Sequence, residues 1–529
     1  MFENSPLRHK PFRLFYFGAV GTAMGFTMQV TMAAWIMATL TPSELMVALV
    51  QSASTVPTLL FGMFAGALAD IIDRRRVILI AQIILLSATT TMGVVTLAGL
   101  LNPYLLLAFV AIGGVGFAFY MPAQQARVNE LVDQQEVPRA IALGAVAFNV
   151  SRAVGPAIAG TIAAWYGSGS ALLASAACFT LMFFALGGAK GGDAPLPGVR
   201  ETLMAGVSSG LRFARHSPAV RSLVIKNLSF TLCASALWAL LPVIARDQLN
   251  LGAGGFGMLF GMFGSGAVVS ALFVPRLLQH RSLNTVVSGN VVLWVIASTL
   301  VAASHNTTLA MIGAAGAGAA WVGVLSSLAA GMQSTAPAWV RARAAAVGLL
   351  SVQASLAVGS AIWGALASAA GTQVAVLVAA ATMVVLYMGN RRVRVTLGTV
   401  ADVTPFAHLP DLTIKAEPMP DDGPVLVQVE YRVARERREQ FMRAIAAIEP
   451  TRRRNGANDW RVFRDLSEDG RFVERFIISS WAEYIRSRAR MTVADRELQN
   501  QVMQLQNEGV PIQISRLIGV DTGKARRRH

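Results

Sequence analysis

Arg152 stands inside the apolar stretch NVSRAVGPAIAG, with Asn149 one helical turn before it and no acid close by. A cation in such surroundings lines a cavity or hydrogen-bonds to helix carbonyls, because burying it alone is costly. Lys226, followed by Asn227, lies early in another apolar segment and either faces a cavity or snorkels to an interface. Gln29, Thr31, Gln51, Ser54 and Gln353 offer neutral polar contacts, and Trp35, Trp238, Trp321 and Trp363 offer flat apolar surfaces. A cavity lined by Gln29, Trp35, Asn149, Arg152, Lys226, Trp238 and Gln353 would suit an amphipathic solute, anionic or aromatic. Each of the aromatics is equally compatible with packing or with anchoring at a membrane interface.

A second constellation is GALADIIDRRR, residues 66–76. Gly66 would allow one helix to approach another, Asp70 could accept from the amides of a helix N-terminus, and Arg74, Arg75 and Arg76 could pair with it or with lipid phosphates. Together they would latch two parts of the molecule; the plainer reading is that the arginines only fix orientation. In NVSRAVGPAIAG, Gly155 and Gly160 permit close packing, and Pro156 removes a donor from the helical ladder and favours a kink. Titratable acids are poorly placed for work inside an apolar region: Asp70, Glu130, Glu44 and Asp247 all sit near segment ends. Cys178 and Cys233, both in apolar segments, suggest neither a disulfide framework nor a metal site.

The elements that must position these residues are membrane spans. The 529 residues are 54% hydrophobic and 14% charged, with a mean hydropathy of +0.53, too apolar for an ordinary soluble chain. About 20 apolar residues cross a bilayer. On that criterion twelve helices fall at residues 13–40, 45–69, 76–99, 103–127, 138–166, 168–188, 221–246, 252–278, 283–303, 306–333, 340–369 and 372–390. The basic lead-in reads as the approach to a first span and not as a removable signal. Arg8, Lys10, Arg13, Arg74 to Arg76, Arg127, Arg139, Arg276, Arg281, Arg341, Arg343 and Arg391 to Arg394 then share one side, with only Arg246 opposite. The positive-inside rule places that side, and both termini, in the cytoplasm.

Shifting the chain by about 204 residues aligns Arg139 with Arg343, Gly144 with Gly348, Asn149 with Gln353, Ser151 with Ser355, Gly155 with Gly359 and Gly160 with Gly364. Two six-helix halves follow, residues 1–190 and 221–394, joined by a loop at 191–220. Its VRETLMAGVSSGLRFARHS suits either an interfacial helix on the inner leaflet or a solvated linker. After a Pro- and Asp-rich linker at 395–423, residues 424–519 change pattern. VLVQVEYRV alternates like a strand, ARERREQFMRAIAAIE has helical spacing, DWRVFRDL and RFVERFIISS suggest a hairpin, a helical stretch runs from 481 to about 506, and PIQISRLIG closes with a strand. The order βαββαβ is that of a ferredoxin-like plait; residues 520–529 form a basic tail. Its arginine runs are interspersed with acids and favour a solvated or membrane-leaning face over nucleic acid.

Gly66, Leu68, Asp70 and the basic residues after them resemble the loop between helices two and three of the major facilitator superfamily, although Ile71 and Asp73 replace its usual arginine and glycine. Gly155, Pro156 and Gly160 resemble the G-P-x-x-x-G element of its exporters, and the first 390 or so residues are similar to the branch holding siderophore exporters and macrolide efflux proteins. Parallel halves related by an axis along the membrane normal are a known property of that superfamily. The resemblance implies alternating access, export of a small amphipathic molecule, proton coupling and a bacterial inner-membrane location. Residues 424–519 resemble the antibiotic-biosynthesis monooxygenase group, but that region has no histidine, so a haem site is not expected, nor is any other cofactor. Sensing or dimerisation is the expected role of that domain; a membrane-held enzyme acting on the transported compound is the competing reading.

Overall fold

A computed structural model describes residues 5–188, 203–337, 339–390, 404, 418–507 and 509–520, without the side chains of residues 63, 67, 69–71, 188, 203–209 and 342. Residues 191–202 of the inter-half loop, most of the linker and nearly all of the basic tail therefore lie outside the described residues, as does the Asp70 side chain.

Among the described residues twelve helices are long and apolar enough to cross a membrane. They are α1 (Lys10–Leu40), α2 (Glu44–Ile71), α3 (Arg74–Leu97), α4 (Pro103–Leu131), α5 (Val137–Tyr166), α6 (Ser168–Gly188), α8 (Pro218–Val243), α9 (Ala253–His280), α10 (Leu283–Ala303), α11 (Thr307–Thr335), α12 (Arg341–Ala370) and α13 (Thr372–Gly389), while α7 (Leu203–His216) is a shorter amphipathic helix. Their ends follow local chemistry. Ser43, Asp73, Asn102 and Ser282 cap α2, α3, α4 and α10 by accepting from amides of the first turn. A π-helical turn, Ile244–Gln248, extends α8, and Gln248 Nε2 secures it on the carbonyls of Ala302 (2.9 Å) and Ser304 (2.7 Å).

Two compact units divide the chain. The first comprises residues 1–200, 225–329 and 349–394. Within it α1 packs on α5 and α6, α2 on α4, α3 on α4 and α6, α10 on α13, and α5 on α9. The 204-residue repeat reappears as packing: α5 and α12 have 30 residues each, offset by that shift. A Cβ at Gly155 would collide with Thr27 of α1, and one at Gly359 would collide with Ser235 of α8, the equivalent helix of the other half.

The second unit comprises residues 201–224, 330–348 and 395–529. It contains a four-stranded antiparallel sheet in the order β2 (Asn458–Arg464), β3 (Arg471–Ile478), β1 (Val425–Arg432), β4 (Gln513–Ile518). Val427 faces Phe476 on β3 and Arg516 on β4 across β1. Three helices, α14 (Arg438–Arg454), α15 (Trp481–Ala489) and α16 (Val493–Met503), accompany it. The single helical stretch expected over 481–506 is two helices, because Thr492 and Asp495 form a reciprocal capping box that starts α16 afresh. The hairpin between β2 and β3 turns at Gly470, whose φ of 81° suits glycine. Within this unit α7 packs on α14, Arg212 donates to Glu483 at 3.1 Å, and Phe213 meets Trp339 edge-on at 5.7 Å. The described end of α7 therefore has protein partners, where the sequence suggested the inner leaflet or solvent.

Candidate transport site

The two halves of the membrane unit meet along two glycine-lined seams. On the α5–α9 seam, Cβ atoms at Gly160 and Gly257 would each stand 2.7 Å from the other's Cα, and Gly264 lies hard against Ala153. On the α2–α12 seam, Ser52 donates to the Ala357 carbonyl at 2.7 Å, the Leu45 amide donates to Ser368 at 3.0 Å, and Gly364 faces Ala48. These approaches lie from mid-helix to the end of the bundle that carries the α1–α2 and α5–α6 turns. There Arg246, on the π-helical turn, donates to the Thr41 carbonyl at 3.2 Å and so ties the second half to the first. The site expectation for Gly160 holds a physical reason: helix backbones touch there.

A Cβ built at Gly66 would meet nothing within 4 Å among the described residues. Arg74 pairs with Glu130, which Arg127 also grips, so its partner is at the foot of α4. Asp73 caps α3 through the Arg75 amide at 2.9 Å, and Arg76 stands 4.0 Å from it. Nearby, His9 (2.8 Å) and Arg8 (3.0 Å) both bind Glu136, with Asp133 beside His9 and Glu136. With an arginine and a histidine on Glu136, this cluster reads as a tie between the N-terminal segment and the α4–α5 loop.

Arg152 sits next to the α5–α9 seam. Its guanidinium carbon lies 5.2 Å from the Trp238 ring of α8 and 6.0 Å from the Phe148 ring one turn earlier on α5. No carboxylate or other hydrogen-bond acceptor among the described residues reaches it. Pro156 has no amide hydrogen, so the Arg152 carbonyl, four residues back, also lacks its helical donor. Trp238 continues into a cluster of rings: Phe260 (5.1 Å), Phe263 (4.7 Å) and Trp321 (5.5 Å). Trp35 stacks on Phe256 at 5.3 Å, and Phe256 meets Phe260. One cation and a wall of aromatic faces therefore stand where the halves join, the chemistry that holds an anion through charge and an apolar body through rings.

Other expected members are elsewhere. Gln29 is only 1% exposed and fits against Gly113 of α4, so it is interior to the first half. Lys226 is 6% exposed, and its ammonium lies 5.2 Å from the Tyr387 ring, in a small pocket with Ser229 and Asn390 inside the second half. Twelve residues of α8 separate it from Trp238, about 18 Å along the axis. Asn149 is half-buried and bonds back to the Ala145 carbonyl at 2.9 Å, and Gln353 is half-buried on α12. Sequence reading missed Phe148, Phe260 and Phe263. The signal was present, since Phe148 and Arg152 are four apart and Phe256, Phe260 and Phe263 follow helical spacing.

Twelve spans in two repeated halves define a multi-pass membrane protein with a fold of the major facilitator type. The chain matches the family described as transmembrane secretion effector over residues 3–524, and it belongs to that family. It is 26% identical over 230 residues to the multidrug efflux pump Tap of Mycolicibacterium fortuitum, covering 42% of this chain and 56% of that protein. It is 24% identical over 247 residues to the staphyloferrin A transporter of Staphylococcus aureus, covering 46% and 62%. The matches thus span little more than half the length of these relatives. In fold it resembles an inward-facing, unoccupied bacterial homologue of the human lysosomal transporter Spinster (TM-score 0.55, 14% identity, 73% of this chain and 97% of that one). It likewise resembles the nucleoside transporter NupG (0.57, 14%, 73% and 98%).

Proposed function

We propose that the chain is a secondary active exporter that carries a small amphipathic molecule, a siderophore, antibiotic or drug-like compound, across the bacterial inner membrane by alternating access. The observation that carries this reading is Arg152 over Trp238, a cation at the junction of the halves with no carboxylate beside it among the described residues. The relatives named for multidrug efflux and for staphyloferrin A support the substrate class. With the positive-inside orientation, both termini are cytoplasmic, the closed seams lie on the outer side, and the bundle is open inward. Asp70 then completes a cytoplasmic latch in the outward-facing state, when Gly66 finds a neighbour.

Protons are the proposed coupling ion, with Asp70 and Glu130 on the inner side and Glu44 and Asp247 on the outer side as candidate carriers. The strand order β2-β3-β1-β4 and the helix placement support a ferredoxin-like reading of the tail. Two copies would pair through its open sheet face, where Phe463 and Leu517 are exposed. Transport of an aromatic carboxylate into inverted vesicles under an imposed pH gradient tests the proposal. Uptake should follow the gradient and fall in Arg152→Ala at equal insertion; uptake that ignores both the gradient and the substitution would sink it.

A further inference from the structure

We propose that the tail domain holds a second binding site, for a small organic anion with an apolar body, in the cavity of about 210 Å³ between its sheet and helices α14, α15 and α16. The site is separate from the one around Arg152. Its floor is apolar, with Val427 and Val429 from β1 and Phe476 and Ile478 from β3. Four arginines line it, Arg452, Arg488, Arg496 and Arg516, against one acid, Asp495.

The partners of these groups show which charges are already committed. Arg452 is neutralised by the buried Glu474 at 2.9 Å. Asp495 is committed to Arg454, to Thr451 (3.2 Å) and to capping α16, so it does not offset Arg516. Arg516 has a different environment: its Nε donates to the Tyr484 hydroxyl at 2.6 Å, and no carboxylate among the described residues pairs with it. Asn455, 8% exposed, also lines the cavity, and its side-chain amide has no hydrogen-bond partner among the described residues.

An arginine without an acid, with an amide at the rim free to donate, above an apolar floor, suits a ligand with a carboxylate-like head and a hydrophobic body. The volume is below the roughly 300–1,000 Å³ of drug-sized sites, so the ligand is a small acid of one or two rings or a short alkyl acid. Its position gives it consequence. Helix α15 supplies Tyr484 and Arg488 to the cavity, Glu483 of the same helix holds Arg212 of α7, and Arg490 just beyond it lies 4.5 Å over Trp339. Occupancy thus bears on the helix that holds the linker between the halves.

Hydrogen exchange on the full chain in micelles, with naphthoate as probe and neutral naphthamide as control, tests the site. Naphthoate at millimolar concentration should slow exchange across α14 to α16, naphthamide should not, and Arg152→Gln should leave the effect intact. Arg516→Gln should weaken the apparent affinity roughly tenfold or more, the worth of a charged hydrogen bond. If that variant misfolds, Ile514→Trp, which fills the cavity from its half-exposed edge, should abolish the protection. No protection by naphthoate, equal protection by naphthamide, loss of protection in Arg152→Gln, or parent-like binding by folded Arg516→Gln or Ile514→Trp overturns the proposal.

Discussion

Away from the foot of α4, where Arg127 pairs with Glu130, the membrane unit treats buried charge in the opposite way from the tail unit. In the tail, Arg452 pairs with Glu474, Arg454 with Asp495 and Arg490 with Glu483. Glu474 also accepts from Trp460 Nε1 at 2.9 Å and from the Tyr431 hydroxyl at 3.0 Å, so both rings serve this buried network. In the membrane unit, Arg152 and Lys226 face rings, and neither has a carboxylate among the described residues. The same side-chain type is a structural fixture where its charge is matched and a ligand group where it is not, because only the unmatched cation gains from an incoming anion. The helix contacts differ in parallel: the tail interlocks through ion pairs that permit one arrangement, while the halves touch through glycines that can part.

The largest test of this contrast is Glu474→Gln, which strands a buried guanidinium. It should destabilise the tail by roughly 3–5 kcal/mol, read as a lower unfolding midpoint of that unit. Burial alone would raise the Glu474 carboxyl, but Arg452, with help from Trp460 and Tyr431, holds it below its ordinary value of 4.5. A depressed carboxylate stabilises the fold above its unfolded-state value and loses that contribution as pH falls through the folded one. The midpoint of the parent should therefore be flat at neutral and mildly acidic pH and decline only below about 4.5.

Next in size is Gly160→Val, whose new side chain would press on the Gly257 backbone. Overpacking of roughly 1–3 kcal/mol should bias the halves apart at that end, widening spin-label distances across the α5–α9 seam and cutting transport. An unchanged distance distribution would mean that the seam does not gate. Arg152→Gln should lower transport of an anionic substrate roughly tenfold while leaving thermal stability equal or higher, the reverse of Glu474→Gln. A drop in stability instead would make Arg152 structural and erase the contrast. Arg246→Ala is the smallest, worth about 1 kcal/mol for one hydrogen bond, and should quicken opening of the Thr41 end as seen by cysteine accessibility.

Composition, hydropathy and basic-residue asymmetry sufficed for the twelve spans, and the repeat at 204 residues anticipated the matched packing of α5 and α12. These are legible because lipid demands long apolar helices and because a repeat preserves small residues wherever backbones touch. The break between α15 and α16 was missed because a capping box is a local signal easily lost inside a helical period. Of the proposed cavity residues, Arg152 and Trp238 come together, while Gln29 and Lys226 go to the interiors of opposite halves.

Sequence by itself determined where the chain must be apolar, which residues are cations and how many spans there are, since these depend on each residue's own transfer energy and its near neighbours. Tertiary structure alone decided which cation meets a carboxylate and which meets a ring. That outcome depends on pairs such as Arg152 with Trp238, Arg74 with Glu130 and Arg516 with Tyr484, joined only when distant segments pack.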